Sequence, residues 1–301
     1  MEMYDWMAKY TPQTEWIERR GVLLWLAFFF IELGAGVFLI ASFFDSLPAM
    51  FTGWLICAVL GGGFHLIFLG KPKRFWRMLF SSGWQTSWIS RGLIFVSLFL
   101  ILGLIYMALV QWANPVTALL VFVNIFAFLT IIYGGFAMNY VNGIPLWNTA
   151  LLPVLYVISG LWGGAEVMLG IALAGGDISV GLTIEEWIRI LLIGFLVLIP
   201  VYLLSTRYTS VTGQASVRFM ILGKWSPLFW IVVVFLGMAV PIAAVVSSFV
   251  IGLEELPASF LYIAIFCGLL GDLAMRYLIL RCGLYNPLIP SFGPQTVPVR
   301  G

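Results

Sequence analysis

Two acidic side chains inside long apolar segments are the residues of this chain best suited to chemistry. Glu32 lies within the run FFFIELGAG, and Glu166 follows GLWGGA in a second apolar run, each well inside its segment. A carboxylate at the centre of a bilayer costs about 2.5–3.5 kcal/mol even on the lenient insertion scale, and such residues usually mark a path for protons or ligands. The sequence therefore predicts a proton-path or ligand role for both, with a neutral, hydrogen-bonded packing role as the alternative.

The chain has one histidine, His65, close to the end of an apolar segment. It is predicted to act as a hydrogen-bond donor or proton carrier beside a bound headgroup, or else to bond a backbone carbonyl at a helix end. A transmembrane haem held by two histidines is excluded within this chain. Asp272 and Arg276 are spaced i, i+4, which places them on one helix face and predicts an ion pair at the membrane edge. Asp272 is also a third candidate for the proton path.

Motifs of self-contained enzymes and metal sites are absent from the sequence. It contains no HExxH, no P-loop and no GxSxG. Cys57, Cys267 and Cys282 lie far apart without CxxC spacing, which predicts packing residues rather than an iron–sulfur or zinc site. We therefore expect no haem or metal in this chain and no catalysis by the chain alone.

These residues must be positioned by membrane-spanning helices. The chain is 62% hydrophobic and 9% charged, whereas a soluble domain carries roughly 25% charged residues. Eight apolar segments approach the length of about 20 residues that a bilayer requires. They cover approximately 21–44, 49–70, 90–112, 116–138, 149–174, 187–206, 227–250 and 257–280. The predicted fold is an all-α integral membrane protein with eight transmembrane helices.

An even number of spans places both termini on one side of the membrane. Fourteen of the fifteen basic residues then fall on that side: Lys9, Arg19, Arg20, Lys71, Lys73, Arg74, Arg77, Arg91, Arg207, Arg218, Lys224, Arg276, Arg281 and Arg300. The opposite side has Arg189 alone, with six acidic residues. The positive-inside rule predicts that the termini and the 70–91 loop are cytoplasmic.

The organisation predicted from these segments has four parts. Residues 1–20 form a surface segment, 21–138 a first four-helix bundle, 139–281 a second one, and 282–301 an extended tail. The division into two bundles rests on a weak internal repetition, ELGAG in the first helix and GGAE in the fifth. Small residues are also common wherever membrane helices pack closely.

Polar and aromatic residues from several helices converge on the side of the termini. We expect a small-molecule pocket there, since such pockets combine apolar walls with a few polar groups; its candidate residues are Trp25, His65, Tyr133, Trp147 and Asn148. The basic loop above it contains Lys71, Lys73, Arg74, Arg77 and Arg91, interleaved with aromatic residues. It is predicted to dock a partner protein, or alternatively to attract anionic lipid.

Four pieces of sequence in this order resemble the NrfD-like family, the membrane subunits of polysulfide reductase and related complexes. They are ELGAG (32–36), HLIFLGKPKRFWR (65–77), SWISRG (87–92) and Tyr133-Gly134 followed by GIPLWNTALLP (143–153). The resemblance covers about the first half of the chain. It implies eight to ten helices, no cofactor of the subunit's own, and a quinone site, with menaquinone expected, near the face where an iron–sulfur subunit docks.

Residue by residue, the resemblance matches Tyr133 to the family's quinone-site tyrosine, and places His65, Lys71 and Arg74 in the family's loop after the second helix. Trp147 and Asn148 match the start of the fifth helix. Where the family often has polar residues near the start of the first helix, this chain has 24–26, Leu-Trp-Leu.

The function implied is a subunit of a respiratory complex in the inner membrane of a prokaryote. It would exchange electrons between a quinone and an iron–sulfur partner of a molybdenum or tungsten oxidoreductase or a hydrogenase, with proton translocation through Glu32, Glu166 and Asp272. The alternatives are a proton-coupled transporter that uses Glu32 and Glu166, and a structural anchor. Copurification of an iron–sulfur protein with the chain would argue against the transporter hypothesis.

Overall fold

Eight long apolar helices form the body of the protein in the computed structural model, which describes residues 7, 10–79 and 82–288. They are α1 (Gly21–Ser42), α2 (Leu47–Phe68), α3 (Trp88–Trp112), α4 (Thr117–Asn139), α5 (Leu151–Gly175), α6 (Ile178–Thr209), α8 (Leu228–Ile251) and α9 (Ala258–Arg281). A shorter helix, α7 (Val211–Ile221), connects α6 to α8. Each of the eight is long and apolar enough to cross a bilayer, so the predicted all-α membrane fold is confirmed.

The sixth span begins earlier than predicted, at Ile178 rather than at residue 187. The Asp177 carboxylate caps its first turn by accepting a hydrogen bond from the Val180 backbone N–H at 3.1 Å. Glu185 then pairs with Arg189 one turn further along. Charges that are satisfied within a helix are compatible with a span, but they lower its hydropathy, and the prediction therefore started too late.

Helix α1 lies at the centre of the bundle and packs against α2, α4 and α5. The small residues of ELGAG make this possible: a β-carbon on Gly36 would overlap the backbone of Gly160 in α5. Close approach of backbones through small residues is the usual packing of membrane helices. ELGAG and GGAE thus lie on helices that pack against each other, and the division into two bundles stays a prediction.

Two of the spans contain π-helical stretches, Ile56–Gly62 in α2 and Leu228–Ala239 in α8. Such stretches carry one extra residue per turn, are rare, and occur frequently at functional sites. The stretch in α2 ends directly before the turn that carries His65. The sequence did not predict it.

A cap ties the two ends of the chain together on one side. Strand β1 (Thr11–Pro12) pairs antiparallel with β2 (Leu284–Tyr285), and the side-chain amide of Gln13 donates to the Leu280 carbonyl at 3.0 Å. The described residues nearest the two termini therefore lie on the same side, as predicted. The predicted surface segment 1–20 is described only at residue 7 and from residue 10, and the predicted tail only as far as residue 288.

Short helical turns follow α2 and form the basic loop. They comprise a 3₁₀ turn at Pro72–Arg74, an α-helical turn at Trp76–Leu79 and a second 3₁₀ turn at Ser82–Gln85. Ser87 then caps α3, its hydroxyl accepting from the Ser90 backbone N–H at 3.4 Å. The turns at Trp76–Leu79 and Ser82–Gln85 both contact α3, so this part of the loop packs against that helix.

Candidate functional site

His65 and Tyr133 form a hydrogen-bonded pair between α2 and α4. The Tyr133 hydroxyl lies 3.0 Å from His65 Nε2, and His65 Nδ1 lies 3.3 Å from the Gly61 carbonyl oxygen. A carbonyl only accepts, so the proton of a neutral imidazole is assigned to Nδ1, and Nε2 accepts from the tyrosine. The Tyr133 hydroxyl is thus a proton donor that is already hydrogen-bonded to its acceptor, His65 Nε2.

A cavity of about 330 Å³ opens beside this pair between α2, α3 and α4. Its walls are mostly apolar: Ile31, Ala58, Gly62, Leu66, Leu69, Phe75, Ile89, Gly92, Leu93, Val96, Ser97, Leu100 and Ile101 join His65 and Tyr133. Leu66, Leu69, Ile89 and Ile101 are also exposed on the outer surface of the bundle. An apolar volume of this size with two convergent polar groups is typical of a small-molecule site, and it can be entered from the lipid.

Phe28 and Gly92 fix the orientation of the pair. The Phe28 ring contacts both partners, with centroid distances of 5.6 Å to His65 and 5.7 Å to Tyr133. On the other side, a β-carbon on Gly92 would overlap the Tyr133 ring. The motif SWISRG thus supplies both the cap of α3 and the space in which the tyrosine lies. Sequence analysis named the motif but did not predict this role.

A cluster of buried charges lies deeper in the bundle, centred on Arg276 of α9. Its guanidinium donates to Asp272 at 3.1 Å and to the Ser159 hydroxyl at 2.6 Å, and it forms an ion pair with Glu32 of α1. The charged side chains are at most 7% exposed. The predicted pair of Asp272 and Arg276 is confirmed, but it is buried instead of lying at the membrane edge. Arg276 is consequently not one of the surface charges of the cytoplasmic-predicted side.

Glu32 lies between this cluster and α4. Oε2 of Glu32 bonds Arg276, whereas Oε1 is buried and has no hydrogen-bond partner within residues 10–79 and 82–288. A β-carbon on Gly134, the residue after Tyr133, would overlap that free oxygen. A buried unpaired carboxylate oxygen calls for a functional explanation. Glu32 therefore contacts α4 at the residue that follows Tyr133, and one of its oxygens is unpaired.

Three other predicted pocket residues lie elsewhere. The indole of Trp25 donates to the Leu273 carbonyl at 3.0 Å and that of Trp147 to the Ile279 carbonyl at 2.7 Å, both on α9. Asn148 donates to the Asn139 carbonyl at 2.7 Å. None of them lines the cavity of His65 and Tyr133. The structure brings together only the two members of the predicted pocket set that come from α2 and α4.

The basic loop covers the cavity. Phe75 turns inward and lines it, while Lys71, Lys73, Arg74 and Arg77 are exposed. Arg91 differs from these four, because it donates to the Trp84 carbonyl at 2.9 Å and its guanidinium lies 4.8 Å from the centre of the Trp88 ring. Arg91 therefore braces the loop, and the other four cations form its outer surface.

Metal-binding clusters are not found among the described residues, in which no three His, Cys, Asp or Glu side chains come together. Cys57, Cys267 and Cys282 are buried free thiols. Burial raises the pKa of the Cys282 thiol at the end of α9, which opposes the thiolate form that binds metals. The prediction that the three cysteines are packing residues agrees with their burial.

The class that this geometry defines is a multi-pass α-helical membrane protein with a histidine–tyrosine pair in a lipid-accessible cavity beneath a basic loop. The family described as "Polysulphide reductase, NrfD" matches residues 19–287, and the chain belongs to that family.

A curated relative, "Protein NrfD homolog" of Haemophilus influenzae, is 25% identical over 155 residues. The match covers 50% of this chain and 48% of the relative. The chain thus aligns with about half the length of that relative.

Proposed function

We propose that this chain is the quinone-interacting membrane subunit of a respiratory redox complex, exchanging electrons between a quinone and an iron–sulfur partner. The observation that carries the proposal is the His65–Tyr133 pair, joined at 3.0 Å, inside a cavity that Phe75 of the basic loop closes from above. Membership of the NrfD family supports it. A single loop then touches both the substrate cavity and the surface where a partner would dock.

The lining residues fit a quinone, with menaquinone as the expected type. A quinone supplies two-electron, two-proton redox chemistry when bound, and its flat ring requires apolar walls and a polar group at an oxygen. Tyr133 keeps a lone pair for a substrate hydroxyl, while its own O–H is directed at His65 Nε2. When Tyr133 accepts a proton from the substrate hydroxyl and passes its own proton to His65, Tyr133 stays neutral and His65 becomes protonated. The reverse transfer returns the proton to the substrate.

Glu32, Asp272 and Glu166 are the groups that we assign to proton transfer beyond this pair. Glu32 has an available oxygen beside Gly134 and shares Arg276 with Asp272. Glu166 is buried on α5 against α9, where a β-carbon on Gly268 would overlap its carboxylate. Ionisable groups buried within the spans are typical of proton relays in membrane proteins.

The four exposed cations of the loop are proposed to dock the iron–sulfur subunit, and the charge bias supports a cytoplasmic location for this face. Lys71, Lys73, Arg74 and Arg77 surround Phe75, which lines the cavity. Complementary charge accelerates encounter and fixes the docking register. A partner at this position would come as close to the substrate as the surface of the subunit allows.

Replacing Tyr133 by phenylalanine or His65 by alanine is expected to lower quinone-linked turnover of the purified complex about a hundredfold, within the range of 10²–10⁴ for a lost proton-transfer group. The double variant should be no worse than the single ones, because the two residues act as a unit. Steady-state turnover with a soluble quinone analogue measures all three.

Tyr202→Phe is the matched control. Its hydroxyl is equally buried and donates to the Leu146 carbonyl at 2.6 Å, away from the cavity. This variant loses the same kind of hydrogen bond and should keep its turnover. Normal turnover in both Tyr133→Phe and His65→Ala would show that the site has been assigned wrongly.

Charge reversal in the loop, with Lys73→Glu and Arg74→Glu combined, is expected to weaken copurification of the iron–sulfur subunit by at least about tenfold in affinity and to reduce the salt dependence of binding. Arg218→Glu, an exposed cation on α7, is the control and should leave binding unchanged. Equal losses in both variants would place the docking surface elsewhere on this face. Binding isotherms at two ionic strengths distinguish these results.

A further inference from the structure

A second, much smaller cavity lies in the half of the bundle opposite the termini, between α5, α6, α8 and α9. Its volume is about 30 Å³, enough for about one or two water molecules. Most of the lining is apolar, including Leu169, Ala244 and Leu261, but Glu166, Glu185 and Ser248 also face it. Three polar groups are the number that an internal water usually requires.

Two of these polar groups lack partners. Oε2 of Glu166 and the Ser248 hydroxyl are buried, and no described residue offers either of them a hydrogen bond. The residues are only 2% and 5% exposed. An unpaired buried polar atom loses its hydration without compensation. Both atoms line one cavity, so a shared water molecule would satisfy them together.

The cavity lies close to the face opposite the termini. Glu166 is nine residues from the end of α5 at Gly175, which corresponds to about 13 Å. Ser248 lies within the last turn of α8. Glu185 lies seven residues after the start of α6 at Ile178, about 10 Å from the same face. Ser248 and Glu185 therefore both lie between Glu166 and that face.

We propose that Glu166 exchanges its proton with the solution on the face opposite the termini, through water held by Ser248 and Glu185. A proton arriving from the solution is carried by the cavity water to the Glu166 carboxylate, which becomes a carboxylic acid, and the water is regenerated. Arg189 positions Glu185 through their ion pair. A role of this port in energy conservation rests on the proposed function, whereas proton exchange through the port does not.

Infrared spectroscopy of the purified chain tests the port without quinone or partner. A carboxyl group with no cationic partner in apolar surroundings is held neutral, and its C=O band shifts when deuterium replaces the proton. We expect a band that is absent in Glu166→Gln and that shifts rapidly on transfer to D₂O. Ser248→Ala and Glu185→Gln should each slow the shift about tenfold, the effect of losing roughly one hydrogen bond from the path.

Ser216→Ala is the directional control, because Ser216 lies on α7 at the side of the termini, its hydroxyl is likewise buried and without a partner among the described residues, and its loss should not affect the rate. The proposal is overturned if the band fails to shift, if both Ser248→Ala and Glu185→Gln exchange at the wild-type rate, or if Ser216→Ala slows the shift as much as they do. Should Glu185→Gln not fold, Ala244→Val replaces it, since added methyl groups would displace water and slow exchange. Quinone-linked turnover is measured in a separate experiment, so the infrared result can be interpreted even if the proposed function proves wrong.

Discussion

Arg276→Met should destabilise the protein by about 3–5 kcal/mol, the usual cost of removing one partner from a buried ion pair. Arg276 neutralises two carboxylates at once, Glu32 on α1 and Asp272 on its own helix, and also binds Ser159 on α5. Without it, two acidic groups remain in an apolar interior and the three helices lose their common contact. Unfolding in mixed detergents and the yield of monodisperse protein measure the loss.

A neutral triple variant separates charge from packing. With Glu32→Gln, Asp272→Asn and Arg276→Met combined, no unpaired charge remains, and we expect most of the stability to return, because neutral replacements of a buried ion cluster are often tolerated. If the triple variant is as unstable as the single one, the essential contribution is instead the packing of Arg276 over the Tyr156 ring, 4.5 Å away.

The surface pair of Arg281 and Glu18 provides the control for this prediction. Glu18 is 50% exposed, and exposed pairs contribute about 0–1 kcal/mol. Arg281→Met should therefore have little effect on unfolding. A loss as large as that of Arg276→Met would mean that the cap, to which this pair belongs, controls stability more than the buried cluster does.

The eight spans were predictable because a bilayer imposes one requirement, length and apolarity, on every helix that crosses it. The predicted start of the sixth span was wrong because charged residues there pair within one helix, as Glu185 and Arg189 do in α6. Helix α7 was missed for a related reason: it is short and lies at the surface, and its buried face consists largely of small and polar residues such as Gly213, Ala215 and Ser216. A search for apolar segments does not detect such a helix.

The candidate site was predictable only in part. Depth in the membrane and family resemblance selected His65 and Tyr133 correctly as neighbours. Trp25 and Trp147 have similar depth and chemistry, yet their indoles donate to carbonyls of α9. Residue type and depth do not determine which way a side chain faces around its helix, and that angle decides between lining a cavity and bracing a neighbouring helix.

The charged cluster illustrates a second limit. Asp272 and Arg276 were recognised as a pair because i, i+4 spacing is visible within one helix. Glu32 is separated from Arg276 by 244 positions, so their contact depends on how α1 packs against α9. The unpaired oxygen of Glu32 could not be foreseen either, because it exists only once Gly134 allows α4 to come close.

Gly92→Ala is expected to reduce quinone-linked turnover at least about tenfold while the protein remains folded. The added methyl group would overlap the Tyr133 ring, and forced repacking of this kind typically costs about 1–3 kcal/mol. The ring can yield only by moving away from α3, which disturbs its 3.0 Å hydrogen bond to His65. Kinetics should show a fall in kcat, with the thermal unfolding temperature lowered by only a few degrees, in line with that cost.

Gly103→Ala, on the same helix, is the matched control, because its β-carbon would meet neighbours at ordinary contact distances of 3.5–3.6 Å. Combining Gly92→Ala with Tyr133→Phe tests the mechanism directly. If the methyl group acts by displacing the tyrosine hydroxyl, the double variant should be no slower than Tyr133→Phe alone. Additive losses would instead mean that Gly92 shapes the part of the cavity that holds the substrate ring, and that the position of Tyr133 is fixed by Phe28 and α4.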